Sequence, residues 1–377
     1  MAAVISNWRT DPYRLLFPIG YAFLAIGLGV WSVDLLAGIP HKETLHALIL
    51  GNGFLFAFAM GILLSECPRA VDAPPAGWSL IGFFILCLAG MGAAALSGHF
   101  QAAYLFHLAS TAALGAFLWR RLPRGSGSRH PGIAIAFTAV LFSAAWTALG
   151  LASESGAFPL VLGREAALSG LQGFFLMFCM ACLRWNWDPA FRSGPMRIWP
   201  SALLLALSLG AEVSSLFALH PRVWLINAYA LRILWIAIYL RLPPGYGTLF
   251  DKLPPYGILM RAGAFSILAG TAAAAFFPGL SLTFNHFTFV AGFAWIALIA
   301  ATGVIAQRLE PARRRSGAWL AAAGGLALGA SVAVRGTAMS WTERGYVLLP
   351  IAAALALLPL LIWAIVFFPR LATGRER

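Results

Sequence analysis

Apolar runs of about twenty residues recur along this 377-residue chain, separated by short polar loops. A helix rises about 1.5 Å per residue, so about 20 apolar residues cross the hydrocarbon core of a bilayer. Such runs lie at about 15–36, 44–65, 78–97, 99–119, 131–151, 165–183, 200–219, 222–241, 256–277, 285–307, 317–338 and 345–368. Twelve of them constrain the fold more than any motif does. Only 10% of the residues are charged, whereas a soluble domain carries about 25%. That is too little polar surface to wrap a water-soluble globule of this length. No apolar/polar alternation of the β-barrel kind is present, so helices are the spanning element. The expected fold is all-α: about twelve transmembrane helices in one bundle, forming a single domain over 1–377.

Charge sets the expected orientation. Counted loop by loop, 19 Lys and Arg fall on the side of the two termini and 5 on the other side. Arg232 and Arg261 fall inside apolar runs. By the positive-inside rule both termini face the cytoplasm. The net charge of +13 does not imply nucleic acid, because the basic residues sit between apolar runs and not on one polar face. No basic segment with a small-residue cleavage site opens the chain, so the first run reads as retained. The loops reach roughly 15 residues at most and no Gly-rich phosphate loop occurs, which leaves no room for an ATP-binding domain.

Six of the seven histidines then fall at the outer mouths or in the outer half of the bundle. His41 precedes the second run and His46 lies in its first turn. His99 sits in the outer hairpin, His107 about two turns into the fourth run, His220 in an outer loop, and His286 at the head of the tenth run. Neutral imidazole is the commonest protein ligand of haem iron and copper, so a metal or haem site below the outer surface is expected. His46, His107 and His286 are the candidate ligands, with His99 beside them as a cofactor-binding candidate. His41 and His220 read as solvated loop residues.

Two charges lie deep in runs: Glu212 in the seventh and Arg232 in the eighth. Such residues are rare at that depth and are usually paired or functional. Either the two form a structural ion pair, or Arg232 meets a haem propionate or an anionic substrate. Met177, Cys179, Met180 and Cys182 offer soft donors that suit Cu(I), although on a hydrophobic helix cysteine also serves as a small hydrophobe.

The stretch Asp11-Pro-Tyr-Arg-Leu-Leu-Phe-Pro18 resembles the PFRxFF-type start of the NnrS family. The segment from Gly53 to Pro68, GFLFAFAMGILLSECP, is similar to that family's HxHEMxFGFxxAxxxGFLLTAxPNW helix, with the same glycine-to-glycine and glycine-to-proline spacing. In that register His46 matches the first histidine of the motif, while Leu48 and Ile49 stand where the second histidine and the glutamate would be. His286 in NHFTFVAGF resembles the family's later HALTxGxxG segment. The resemblance implies a haem- and copper-containing, multi-pass protein of the bacterial inner membrane, linked to nitric oxide and nitrosative stress.

No proton-coupled catalytic centre is legible, so the chain reads as a binding or sensing protein before an enzyme. Expected partners are the lipid bilayer, haem and nitric oxide, and no nucleic acid. A twelve-helix secondary transporter is the alternative, although no repeat between the two halves is evident in the sequence. A cofactor-free structural subunit of a membrane complex is a third reading.

Overall fold

The computed structural model describes residues 8–37, 42–122, 131–157, 171–179, 181–182, 198–214, 221–240, 255–308, 314–340 and 345–373. They are helical apart from short turns, and no strand occurs among them. In chain order the helices are α1 (Tyr13–Ala37), α2 (42–70), α3 (Trp78–Leu96), α4 (Phe100–Trp119) and α5 (Pro131–Glu154). Then come α6 (171–182, residue 180 aside), α7 (Ile198–Ser214), α8 (Pro221–Leu240) and α9 (Pro255–Phe276). The last three are α10 (281–308), α11 (Arg314–Ser340) and α12 (Gly345–Thr373).

Among the described residues nine helices, α1–α5 and α9–α12, are long and apolar enough to cross a membrane. The other three expected runs, 165–183, 200–219 and 222–241, lie only in part within the described residues. Among the described residues two helix ends differ from the expected bounds in ways of consequence. α2 continues through Pro68 to Ala70. α10 begins at Ser281, four residues early, so His286 sits in its second turn and not at its head.

Two helices form the inside of the bundle. In the spans of α2 and α10, 89% and 78% of the residues are buried, against 56% or less in the other seven. The described part of α6 is buried as well and packs between them. Phe56 of α2 meets Phe174 of α6 at 5.5 Å, and Phe175 of α6 meets Phe293 of α10 at 6.0 Å between ring centroids. Helices apolar on every side suit that place, because one lipid-facing stripe is not all they must cover. The first and last helices close around this core. Tyr21 of α1 stacks on Trp363 of α12 at 5.7 Å, and the Trp363 indole N–H donates to Thr302 of α10 at 2.8 Å.

The start of α1 is fastened to the end of α2 by charge. Asp11, 1% exposed, accepts from Arg14 at 3.3 Å and from Arg69, which also pairs with Glu66 at 2.9 Å. A carboxylate buried that fully is tolerable because two guanidiniums face it. This clasp holds the α1–α2 hairpin at the end of the bundle opposite to His46.

α2 and α10 share a local device that no hydrophobic pattern announces. In α2 the backbone widens into a π-helix over Leu48–Leu55; in α10 it does so over Thr288–Ala294. Each widened segment begins two residues after a histidine. Each carries a glycine pressed against the preceding helix. A Cβ on Gly53 would lie 2.6 Å from the Phe23 ring of α1, and one on Gly292 would lie 2.6 Å from Ile267 of α9. π-segments are uncommon and often mark functional sites. The pairs α1–α2 and α9–α10 thus repeat one construction.

Candidate functional site

The antiparallel run of the chain brings the start of α2, the start of α10 and the end of α11 to one end of the bundle. His46 near the start of α2, His286 near the start of α10 and Arg335 near the end of α11 thus belong to the same end. Packing joins two of these helix ends. A Cβ on Gly336, next to Arg335, would lie 3.2 Å from the side chain of Thr283, one turn before His286.

Both imidazoles are held in the same manner. Nδ1 of His46 lies 2.9 Å from the Gly27 carbonyl of α1, and Nδ1 of His286 lies 2.8 Å from the Leu282 carbonyl one turn back in its own helix. A carbonyl can only accept, so in each neutral ring Nδ1 carries the hydrogen and the lone pair resides on Nε2. That is the tautomer of a metal-ligating histidine whose other nitrogen is fixed by an outer hydrogen bond.

The other predicted residues lie elsewhere. His107 is 2% exposed and meets Ser143 of α5 through Nε2 at 3.1 Å, with the Phe56 ring edge-on at 4.6 Å. Phe56 is ten residues along α2 from His46, roughly 10–15 Å of helix rise. The depth that marked His107 as a ligand is thus accommodated by a hydroxyl partner and an aromatic wall. His99 is exposed at the boundary of α4 and caps nothing with its side chain. His41 and His220 lie outside the described residues.

Arg232 is 4% exposed and donates from Nε to Ser208 at 2.9 Å and from Nη1 to Gln172 at 2.5 Å. The side chain of Glu212, its expected partner, lies outside the described residues. Arg232 lines a narrow cleft with room for about one water, together with Gln172, Thr271, Asn285 and Thr288 among apolar residues. Asn285 donates to the Tyr229 hydroxyl at 2.9 Å. These polar side chains lie beside the helix that carries His286. Cys179 and Cys182 are free, buried thiols, and Met177, two residues before Cys179, is buried too; Met180 lies outside the described residues.

Among the described residues no group of three or more His, Cys, Asp or Glu could hold a metal ion. A bare zinc or copper centre takes three or four protein donors. A haem supplies four nitrogens itself and asks the protein for one or two axial ligands. His46 and His286, each with Nδ1 fixed on a backbone carbonyl and its lone pair on Nε2, are the donor type such a group takes.

Apolar helices around a buried core, with paired histidines at one end, define a multi-pass helical membrane protein carrying a candidate haem or metal site. The sequence profile of the NnrS family, described as NnrS protein, matches residues 7–375. The chain therefore belongs to the NnrS family. No curated protein matches it.

Arg335 is the site residue that sequence reasoning missed. Its position near the end of an Ala/Gly-rich run made it read as one of five outer basic residues. The signal that could have found it is its place inside the run 317–338, where a charge calls for a reason.

Proposed function

We propose that the chain is a haem-binding protein of the bacterial inner membrane that acts in nitric oxide or nitrosative-stress physiology. In this reading twelve helices span the membrane, both termini are cytoplasmic, and the histidine end of the bundle faces outward. His46 and His286 would hold one haem iron between them. The observation that supports the reading is that each of these imidazoles is fixed through Nδ1 to a backbone carbonyl. A bound haem would supply an iron that takes up and gives up an electron. The chain's own part is to hold the two imidazoles and to keep the iron inside a wall of apolar helices.

Copper enters the reading through Cys179 and Cys182, whose two thiols suit Cu(I) in low coordination. A metal analysis of the wild type and of the Cys179→Ser/Cys182→Ser double variant tests it: bound copper is expected to be lost in the double variant.

For haem, the protein is purified in detergent from haem-replete cells and its absorption is recorded oxidised and reduced. A Soret band lost in His46→Ala and in His286→Ala, and kept in His107→Ala, is expected. A colourless wild type from such cells would overturn the reading.

A transporter is the second reading, favoured by the polar side chains around Arg232. It predicts substrate flux into vesicles that depends on Arg232 and not on His46.

A further inference from the structure

We propose that the narrow cleft between α6, α8, α9 and α10 is a binding site for one small, neutral, hydrogen-donating molecule, and that its occupant is a water held inside the membrane-spanning part of the bundle. The inference stands apart from the haem reading.

The cleft has room for about one water. Thr271 of α9 and Thr288 of α10 line it, and both lie within membrane spans. Gly270, next to Thr271, lets the two helices close here, because a Cβ on it would collide with the Thr288 hydroxyl. The hydrogen bonds already made decide what the cleft can take. Thr271 gives its hydroxyl hydrogen to the Ile267 carbonyl at 2.7 Å, and Thr288 gives its own to the Phe284 carbonyl at 3.1 Å. Each hydroxyl then has only lone pairs left to offer. Asn285 donates to the Tyr229 hydroxyl, and its carbonyl oxygen can only accept. The Gln172 carbonyl accepts from Arg232, because a guanidinium can only donate, and this leaves Gln172 its amide hydrogens. Acceptors from α9 and α10 and donors from α6 thus line one cleft. A water, which donates twice and accepts as well, matches that set. An anion would face the threonine lone pairs, and a cation would share the cleft with Arg232. The bland alternative is that each side chain is satisfied by its own helix. That accounts for the threonine hydrogens but gives the Gln172 amide no acceptor among the described residues. Inside an apolar bundle such an unmade hydrogen bond is costly.

The full-length protein is crystallised in a lipid mesophase, with and without sodium bromide, at a resolution that shows ordered water. One peak is expected within about 2.5–3.2 Å of the Gln172 amide nitrogen and of at least two of the oxygens of Thr271, Thr288 and Asn285. A map without that peak overturns the proposal, and so does anomalous scattering from bromide at the same place. Thermal unfolding in detergent gives an independent arm. Thr271→Ser keeps the oxygen and is expected to unfold at the wild-type temperature. Thr271→Val and Thr288→Val each lose an acceptor and are expected to unfold earlier. The double variant is expected to lose less than the sum of the two, because both acceptors serve one molecule. Losses that simply add, or a valine variant that unfolds at the wild-type temperature, overturn the proposal.

Discussion

His46 and His286 differ from His107 in what their nitrogens touch. The first two spend Nδ1 on backbone carbonyls, whereas Nε2 of His107 faces a serine hydroxyl. His107→Ala is thus expected to lower stability by about 1–3 kcal/mol, the scale of a buried hydroxyl left unsatisfied, and to leave any haem spectrum unaltered. Denaturation of the purified variant beside its absorption spectrum checks both halves. Arg232→Met should act differently. A guanidinium in mid-membrane is unfavourable by about 2.5–3.5 kcal/mol on insertion scales, and here Ser208 and Gln172 offset part of that. Replacing it strands both partners, so reduced yield of folded protein on size exclusion is expected. At this scale the sequence was half legible. His46 and His286 drew notice as candidates because each sits near one end of an apolar run. Ser143 could not, since a hydroxyl 36 residues from His107 has no mark in the pattern.

Among the described residues, nine helices were legible in the length of the apolar runs. The π-segments were not. A widened turn leaves no trace in hydropathy when the helix is apolar on every face, and both Leu48–Leu55 and Thr288–Ala294 lie in such stretches. Their glycines were visible, but only the fold shows what they admit. Gly53 admits the Phe23 ring and Gly292 admits Ile267. Gly53→Ala and Gly292→Ala are each expected to cost about 1–3 kcal/mol, because the added methyl meets a neighbour in a packed core. They should also shift the histidine two residues before the segment. A thermal melt read together with haem affinity distinguishes this from plain destabilisation: Gly61→Ala, which crowds Phe17 in the same α2 helix far from His46, should melt early while keeping its haem.

For the whole molecule, the alternation of basic and neutral loops and the meeting of helix ends agree. His46, His286 and Arg335 share one end, and the Asp11–Arg69 clasp lies at the other. The 19-to-5 division of basic residues predicts that the clasp end is cytoplasmic. A green fluorescent reporter fused after Arg377 should therefore be bright and an alkaline phosphatase fused there inactive; the reverse would invert the molecule and put the histidine site inside. The repeat between α1–α2 and α9–α10 escaped a comparison of chain halves, because the two pairs are set eight helices apart and share backbone shape more than sequence. The central claim is that His46 and His286 grip one haem iron. Low-temperature electron paramagnetic resonance of the oxidised, purified protein tests it most directly. A low-spin ferric signal in the wild type should be lost in His46→Ala and in His286→Ala alike, and stay in His107→Ala. A protein with no haem signal, or one whose signal ignores both substitutions, would contradict the account.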